Sequence, residues 1–136
     1  MSRSIICDRA DIFTQRIFNL CERWSKGGIA ARHVASELIR CGPSIGANAN
    51  EAQEAQTKRD FIAKMSVARK ESRETLYWLR NALAAGIVPA HEFEWELNEA
   101  GELRAMIIAA IKTAQSNPDR RRRPDPPQPD ADDGSP

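Results

Sequence analysis

Apolar residues recur every three or four positions through most of this 136-residue chain, and this spacing limits the possible folds more than any other feature. An α-helix completes one turn in about 3.6 residues, so the spacing lines up apolar side chains along one side of each helix. Such stripes must be buried against one another. The pattern therefore predicts an all-α domain.

Two helices are predicted in the first half of the chain. The first covers residues 8–25, and the second covers residues 29–56 with a stripe that runs through Pro43. Proline removes one backbone hydrogen bond and presses on the preceding turn, so we expect a kink near residues 39–43, with a break into two helices as the alternative. The unbroken stripe favours the kink. The core stripe of the first helix is Phe13, Ile17, Leu20 and Trp24.

Two further helices follow. Thr57 and the acid three residues later resemble a capping box, and Gly86 followed by an apolar residue has the form of a Schellman ending, so a third helix is predicted between them. Pro89 suits the first turn of a fourth helix over residues 89–115. The third helix has the core stripe Phe61, Met65, Ala68, Ser72, Leu76, Leu79 and Leu83. The fourth has Phe93, Leu97, Ala100, Ile107 and Ile111.

The predicted helices have similar lengths and short connections, which favours antiparallel neighbours. We therefore expect an antiparallel up-and-down four-helix bundle over residues 8–116, after a flexible N-terminus of residues 1–7. Residues 117–136 are rich in Pro, Asp and Arg and contain no large apolar side chain. Such a segment cannot bury enough surface to fold, so we expect a disordered tail.

The composition argues against several classes of protein. Three cysteines without a CxxC pair indicate reduced thiols and a cytoplasmic location. The longest apolar run, residues 105–111, is too short to span a membrane, so no membrane partner is expected. The only histidines are His33 and His91, and no Glu-x-x-His motif occurs, so no metal or other cofactor is predicted. No nucleophile, base and orienting acid can be assembled, which predicts a protein that is not an enzyme.

Basic residues gather on one flank of the third helix. A rotation of about 100° per residue places on that flank Arg59, Arg69, Lys70, Arg73 and Arg80. Three interpretations are open: an ordinary solvated face, a surface that contacts nucleic-acid phosphates, and a protein contact.

The fourth helix has an acidic outer face that also carries large apolar side chains. Residues 58–84 hold seven basic and three acidic residues, whereas residues 89–115 hold two and five. Our hypothesis is that the basic flank of one subunit meets the acidic face of the next, so that the contacts close into a ring. The predicted subunit interface comprises Trp78, Trp95, Glu99, Glu102 and Met106.

Polar residues lie beside the apolar stripe of the second helix. Ser44, Asn48 and Glu51 follow one another at one-turn intervals, and near a core such groups need partners. Glu71 and Glu74 on the third helix could supply them. A structural hydrogen-bond network and a ligand site are both open.

The same residues carry a resemblance to a known family. Ser44, Ile45, Asn48 and Glu51 form a Ser-Ile-x-x-Asn-x-x-Glu motif, and a second pattern follows at Phe61, Ile62, Glu71 and Glu74. Over residues 8–115 the chain resembles the bacterial four-helix bundle family. That family includes proteins encoded in intervening sequences of large-subunit ribosomal RNA genes and, more distantly, accessory variability proteins of diversity-generating retroelements.

The resemblance implies a homo-oligomeric barrel, typically a pentamer, without catalytic residues or a cofactor. For the retroelement branch it implies binding of RNA or DNA and of a partner reverse transcriptase through a basic surface. Residues 1–116 contain 16 basic and 14 acidic residues. Because their net charge is so small, nucleic-acid binding would depend on the local basic flank. The leading prediction is a non-enzymatic oligomeric scaffold that binds RNA or an RNA-protein complex. The alternative is a protein-only module for self-assembly.

Overall fold

The computed structural model describes residues 4–117, and within that range every regular element is a helix. Four α-helices form the bundle, and a short 3-10 turn, Ala90–Glu92, precedes the last of them. They are α1 Ile5–Trp24, α2 Ile29–Gln53, α3 Lys58–Ala85 and α4 Glu94–Ser116. Each helix packs against the next in the chain, and α4 also packs against α1. The predicted all-α four-helix bundle is therefore confirmed.

Side-chain pairs show that neighbouring helices are antiparallel. Arg9, near the start of α1, binds Glu99 in α4, whereas Arg23, at the end of α1, reaches the carbonyl of Glu92 before α4 begins. Helices α2 and α3 are also antiparallel, since an ion pair joins the end of α2 to the first third of α3. This is the predicted up-and-down arrangement.

The N-terminal helix begins earlier than expected. Ser4 caps it, because the Ser4 hydroxyl accepts a hydrogen bond from the Cys7 backbone N–H at 3.0 Å. Cys7 is buried in the core. The expected start of α1 at residue 8 is thus wrong, and residues 5–7 belong to the helix rather than to a flexible terminus. The predicted tail, apart from Asn117, lies outside the described residues.

The last helix begins later than expected. Pro89 leads into the 3-10 turn rather than into an α-helix, and Phe93 has an extended φ of −141° with ψ of 19° at the start of α4. Phe93 is nevertheless buried, where its ring meets Trp24 edge to face at 5.1 Å. The 3-10 turn therefore places Phe93 in the core before the α-helix forms.

The third helix has the predicted ends. Thr57 accepts a hydrogen bond from the Asp60 N–H at 3.0 Å, and Gly86 has the left-handed φ of 64°. The Ile87 N–H reaches back to the Ala82 carbonyl at 3.1 Å, which completes a Schellman motif. Both ends were recognised because caps depend on neighbouring residues alone.

The second helix continues through Pro43 without a break. Cys41 and Ile45, on either side of the proline, are both fully buried. The interpretation as one helix is confirmed, and the alternative of two helices is wrong. The helix does end earlier than expected, at Gln53 rather than residue 56.

The core follows the predicted stripes, with one clear exception. Leu83 is 43% exposed, while Thr75 and Ala82 on the same helix are buried. Leu83 lies in the last turn of α3, at an end of the bundle, where less chain surrounds each side chain. Of the helices between residues 4 and 117, none combines the length and hydropathy needed to cross a bilayer.

Candidate nucleic-acid interface

A groove lined by basic side chains lies between α3 and α4. It consists of two adjoining cavities that share Arg104. The polar end has a volume of about 290 Å³ and is lined by Ser66, Arg69, Lys70, Arg73 and Arg104. The apolar end has a volume of about 390 Å³ and is lined by Leu76, Arg80, Gly101, Arg104, Ala105, Ile108, Ala109 and Lys112. We call the two together the α3/α4 groove.

Helical periodicity explains why α3 presents its basic residues to the groove. Arg69 and Arg73 are one turn apart, and Arg80 comes about two turns later, so the three side chains share a flank at about 100° per residue. Ala68 and Leu76 are buried in the core beside this flank. Burial of the apolar stripe thus sets the rotation of α3 and turns its cations toward α4.

Charge in the groove is of one sign. Among the described residues, no Asp or Glu lines either end. Its six cations are Arg69, Lys70, Arg73, Arg80, Arg104 and Lys112. None of the six forms an ion pair with a carboxylate of residues 4–117. Like charges this close repel one another, so the groove favours an anion.

Arg104 is the most enclosed of these cations. Its Nε atom is buried and has no hydrogen-bond partner among the described residues. A buried N–H donor without a partner is unfavourable by about 1–3 kcal/mol, and more when it belongs to a charged group.

Four of the five residues predicted for nucleic-acid binding line the groove, and the fifth does not. Arg59 is exposed near the start of α3, ten residues before Arg69, which is about 15 Å along the helix axis. Sequence reasoning missed Arg104 and Lys112, because α4 as a whole is acidic. Their spacing was the available signal, since Arg104, Ile108 and Lys112 recur every four residues.

The acidic face of α4 contacts α1 of the same chain. The Arg9 guanidinium donates through Nε to Glu99 Oε2 at 2.8 Å and through Nη2 to Glu99 Oε1 at 2.6 Å. Glu102 lies 3.7 Å from Arg9 Nη2, and Met106 Sδ lies 3.4 Å from Arg9 Nη1. Three residues predicted for a subunit interface therefore have partners within the chain. The sequence showed the charges of α4 but not which helix would pack beside them.

The two tryptophans assigned to that interface are also packed within the chain. Trp95 stacks on Phe13 with ring centroids 6.5 Å apart, and the Arg16 guanidinium lies 4.3 Å from the Trp95 ring. Trp95 is still 37% exposed. Trp78 is half-buried and meets the His33 ring edge to face at 5.4 Å.

Separate local contacts take the place of the predicted network between α2 and α3. Asn48 Nδ2 donates to the Ser44 carbonyl at 2.8 Å, within its own helix. Glu51 pairs instead with Lys64 at 2.8 Å. Short polar side chains in a helix readily bond to the preceding turn, so Ser44 and Asn48 do not need the α3 glutamates.

The two α3 glutamates lie together on the α2 side of the helix. Arg40 Nη1 is 3.5 Å from Glu74 Oε1, and Arg40 also pairs with Glu37 at 2.9 Å. Burial raises the pKa of the Glu71 carboxyl, and the neighbouring Glu74 raises it further, while Arg40 acts in the opposite direction. Glu71 and Glu74 are half-buried, and together with Arg40 and Glu37 they form a cluster of opposed charges separate from the α3/α4 groove.

Comparison with known proteins agrees with the fold and the motifs. The family model for the 23S rRNA-intervening sequence protein matches residues 2–109. The chain belongs to this family. A solved structure from Bacteroides thetaiotaomicron, described as a protein with unknown function from the S23 ribosomal protein family, is 32% identical with a TM-score of 0.70. The match covers 79% of this chain and 99% of that one. None of the curated proteins matches the chain.

The family resemblance based on Ser44, Asn48 and Glu51 is thereby confirmed. Residues 4–117 bring together no three His, Cys, Asp or Glu side chains that could hold a metal ion. All three cysteines are buried and unpaired, and burial raises the pKa of Cys21 to about 12.

Proposed function

We propose that this protein is a non-enzymatic, cytoplasmic RNA-binding protein that holds the phosphate backbone of RNA in the α3/α4 groove. The observation that carries the proposal is the set of six cations in one groove that form no ion pair with a carboxylate of residues 4–117. Elsewhere on the bundle, basic residues such as Arg9, Arg16 and Arg40 bind carboxylates of the same chain. Three buried cysteines, unpaired with one another, support the cytoplasmic location.

Phosphate fits the groove for two reasons. Guanidinium groups bind phosphate oxygens with two parallel hydrogen bonds, and three of the lining residues of the polar end are arginines. A chain of phosphates can also occupy several cations at once, which a single small anion cannot. The family takes its name from an intervening sequence of 23S ribosomal RNA, which makes RNA the first ligand to test.

Binding to RNA should be measured by fluorescence anisotropy over a range of salt concentrations. If all six cations contact phosphates of a single strand, the slope of log K against log salt is about −4, at about 0.7 per phosphate. Reversal of charge in Arg69→Glu/Arg73→Glu is expected to abolish binding at low salt while the circular dichroism spectrum is unchanged.

A matched control changes the net charge by the same amount elsewhere. Lys26 and Arg32 are exposed around the α1–α2 connection, and neither lines the groove. Lys26→Glu/Arg32→Glu should therefore lower affinity only slightly. Equal losses in the two double variants would mean that overall charge, rather than the groove, governs binding, and the proposal would be wrong.

Self-assembly is a second candidate function, and a separate surface supports it. Phe18 and Ile39 are 47% and 44% exposed, and both line a cavity of about 330 Å³ between α1 and α2. Large exposed apolar side chains favour a contact with another protein surface. Sedimentation at micromolar concentration tests for the homo-oligomer, and a monomer would contradict it. The pentamer and the reverse transcriptase partner stay predictions of the resemblance.

A further inference from the structure

The two ends of the α3/α4 groove differ in chemistry. The polar end is lined by a hydroxyl and four cations, whereas small apolar side chains of α4 form much of the apolar end. Arg104 lines both ends, so the two ends adjoin at this side chain. The groove thus offers adjacent sites for an anion and for a flat apolar group.

Gly101 and its neighbours give the apolar end its shape. A Cβ atom placed on Gly101 would meet nothing within 4 Å, so the space above this residue is open. Ala105 and Ala109 follow at one-turn intervals and are exposed, while Ile108 is half-buried beside them. Together they form a shallow apolar surface, with Arg80 and Lys112 among its lining.

We propose that the α3/α4 groove binds one nucleotide of a single-stranded RNA, with the phosphate at the polar end and the unpaired base against the apolar end. This inference rests on the proposed RNA binding. A nucleotide joins an anion to a flat, largely apolar ring, which matches the two ends and their shared Arg104. In a duplex the base faces are stacked on one another, so a duplex can use the polar end alone.

The charges of the groove favour this occupant over a helix from a second copy. Small residues at one-turn intervals also suit close helix packing, as in the contact between α1 and α2. However, such a helix would cover Arg80, Arg104 and Lys112. No Asp or Glu among the lining residues would neutralise these charges. On the acidic face of α4, Glu99 is already bound to Arg9, and Glu102 lies 3.7 Å from the same guanidinium.

Filling the apolar end separates base contact from phosphate contact. Gly101→Leu and Ala105→Leu each add a large side chain there and keep all six cations, and Gly101→Ala serves as the control because it adds only one methyl group. The probes are a short single-stranded RNA, the same RNA annealed to its complement, and inorganic polyphosphate, which carries phosphates without bases. Circular dichroism and sedimentation report the fold and the subunit number of each variant.

We expect both leucine variants to bind the single strand about tenfold more weakly, a change of about 1.4 kcal/mol, because the added side chain occupies the space of the base. Both variants should bind polyphosphate and duplex as the wild type does. Gly101→Ala should bind all three probes normally. An unchanged affinity of both leucine variants for the single strand would overturn the inference. So would a change in subunit number, which would make the apolar end a subunit contact. If the wild type bound neither RNA nor polyphosphate, the proposed function itself would fail.

Discussion

At the scale of single residues, Arg16 links two side chains of α4. Its Nε atom lies 3.3 Å from Glu96 Oε2, and its guanidinium covers the Trp95 ring. Glu96 is only 3% exposed, so its carboxylate has little access to water. Removal of the arginine would leave a buried carboxylate without its ion pair.

Arg16→Ala is therefore expected to lower the free energy of unfolding by about 1–3 kcal/mol, measured by urea denaturation. The second change Glu96→Gln should restore part of the loss, because a neutral amide is easier to bury. Arg32→Ala, at an exposed position, provides the control. If Arg16→Ala and Arg32→Ala were equally stable, the ion pair with Glu96 would contribute nothing.

Glu71 gives the protein a pH-dependent contribution to stability. Burial and then Glu74 raise the pKa of the Glu71 carboxyl above the ordinary 4.5. The folded state therefore binds a proton more tightly than the unfolded chain does. The resulting stability is fully present below the unfolded pKa and is lost as the pH rises through the folded pKa.

Glu71→Gln replaces this carboxyl with a group that does not ionise. At neutral pH the variant is expected to be more stable than the wild type, and the difference should shrink toward about pH 4, where Glu71 is protonated. Urea denaturation of both proteins at several pH values measures this. A difference that stayed constant with pH would show that Glu71 does not titrate differently in the folded state.

At the scale of helices, two glycines of α2 set its distance from α1. A Cβ atom on Gly42 would lie 3.1 Å from Ile17 Cγ2, and one on Gly46 would lie 3.2 Å from Ala10 Cβ. These contacts are tighter than ordinary van der Waals packing. The glycines on either side of Pro43 thus allow close packing of α1 against α2.

Gly42→Leu should force α1 and α2 apart and lower the free energy of unfolding by about 1–3 kcal/mol. Gly101→Leu is the matched control, because open space surrounds that position, and leucine is a better helix former than glycine. Thermal denaturation of the two variants compares them directly. Equal melting temperatures would mean that α1 and α2 adjust to the added volume without loss.

At the scale of the whole molecule, a formal net charge of +1 conceals two unlike surfaces. Between α1 and α4, basic and acidic side chains pair with each other. Between α3 and α4, six cations have no carboxylate to pair with among residues 4–117. Overall charge therefore says little about where an anion binds.

Occupation of the α3/α4 groove is expected to stabilise the whole fold, because a ligand that binds only the folded state shifts the unfolding equilibrium. At a polyphosphate concentration about a hundred times the dissociation constant, the gain is about 2.7 kcal/mol. A thermal shift assay should show that polyphosphate raises the melting temperature of the wild type but not that of Arg69→Glu/Arg73→Glu. An equal increase in both would place the anion outside the groove.

The sequence by itself determined the helices, because their signals are local. The stripe of α1 and the Thr57 and Gly86 caps depend on residues within a turn or two of one another, and all were confirmed. The predicted starts of α1 and α4 were wrong because more than one local interpretation was available at each. Ser4, rather than a residue near Asp8, caps α1, and Pro89 is compatible with a 3-10 turn as well as with an α-helix.

Only the tertiary structure decided which side chains share a surface. The α3 side of the groove followed from the periodicity of one helix, whereas Arg104 and Lys112 joined it because α4 packs beside α3. In the same way, Glu99 pairs with Arg9 because α4 packs against α1. These pairs lie far apart in sequence, so helical periodicity can place each residue on a face but cannot say which face of another helix it will meet.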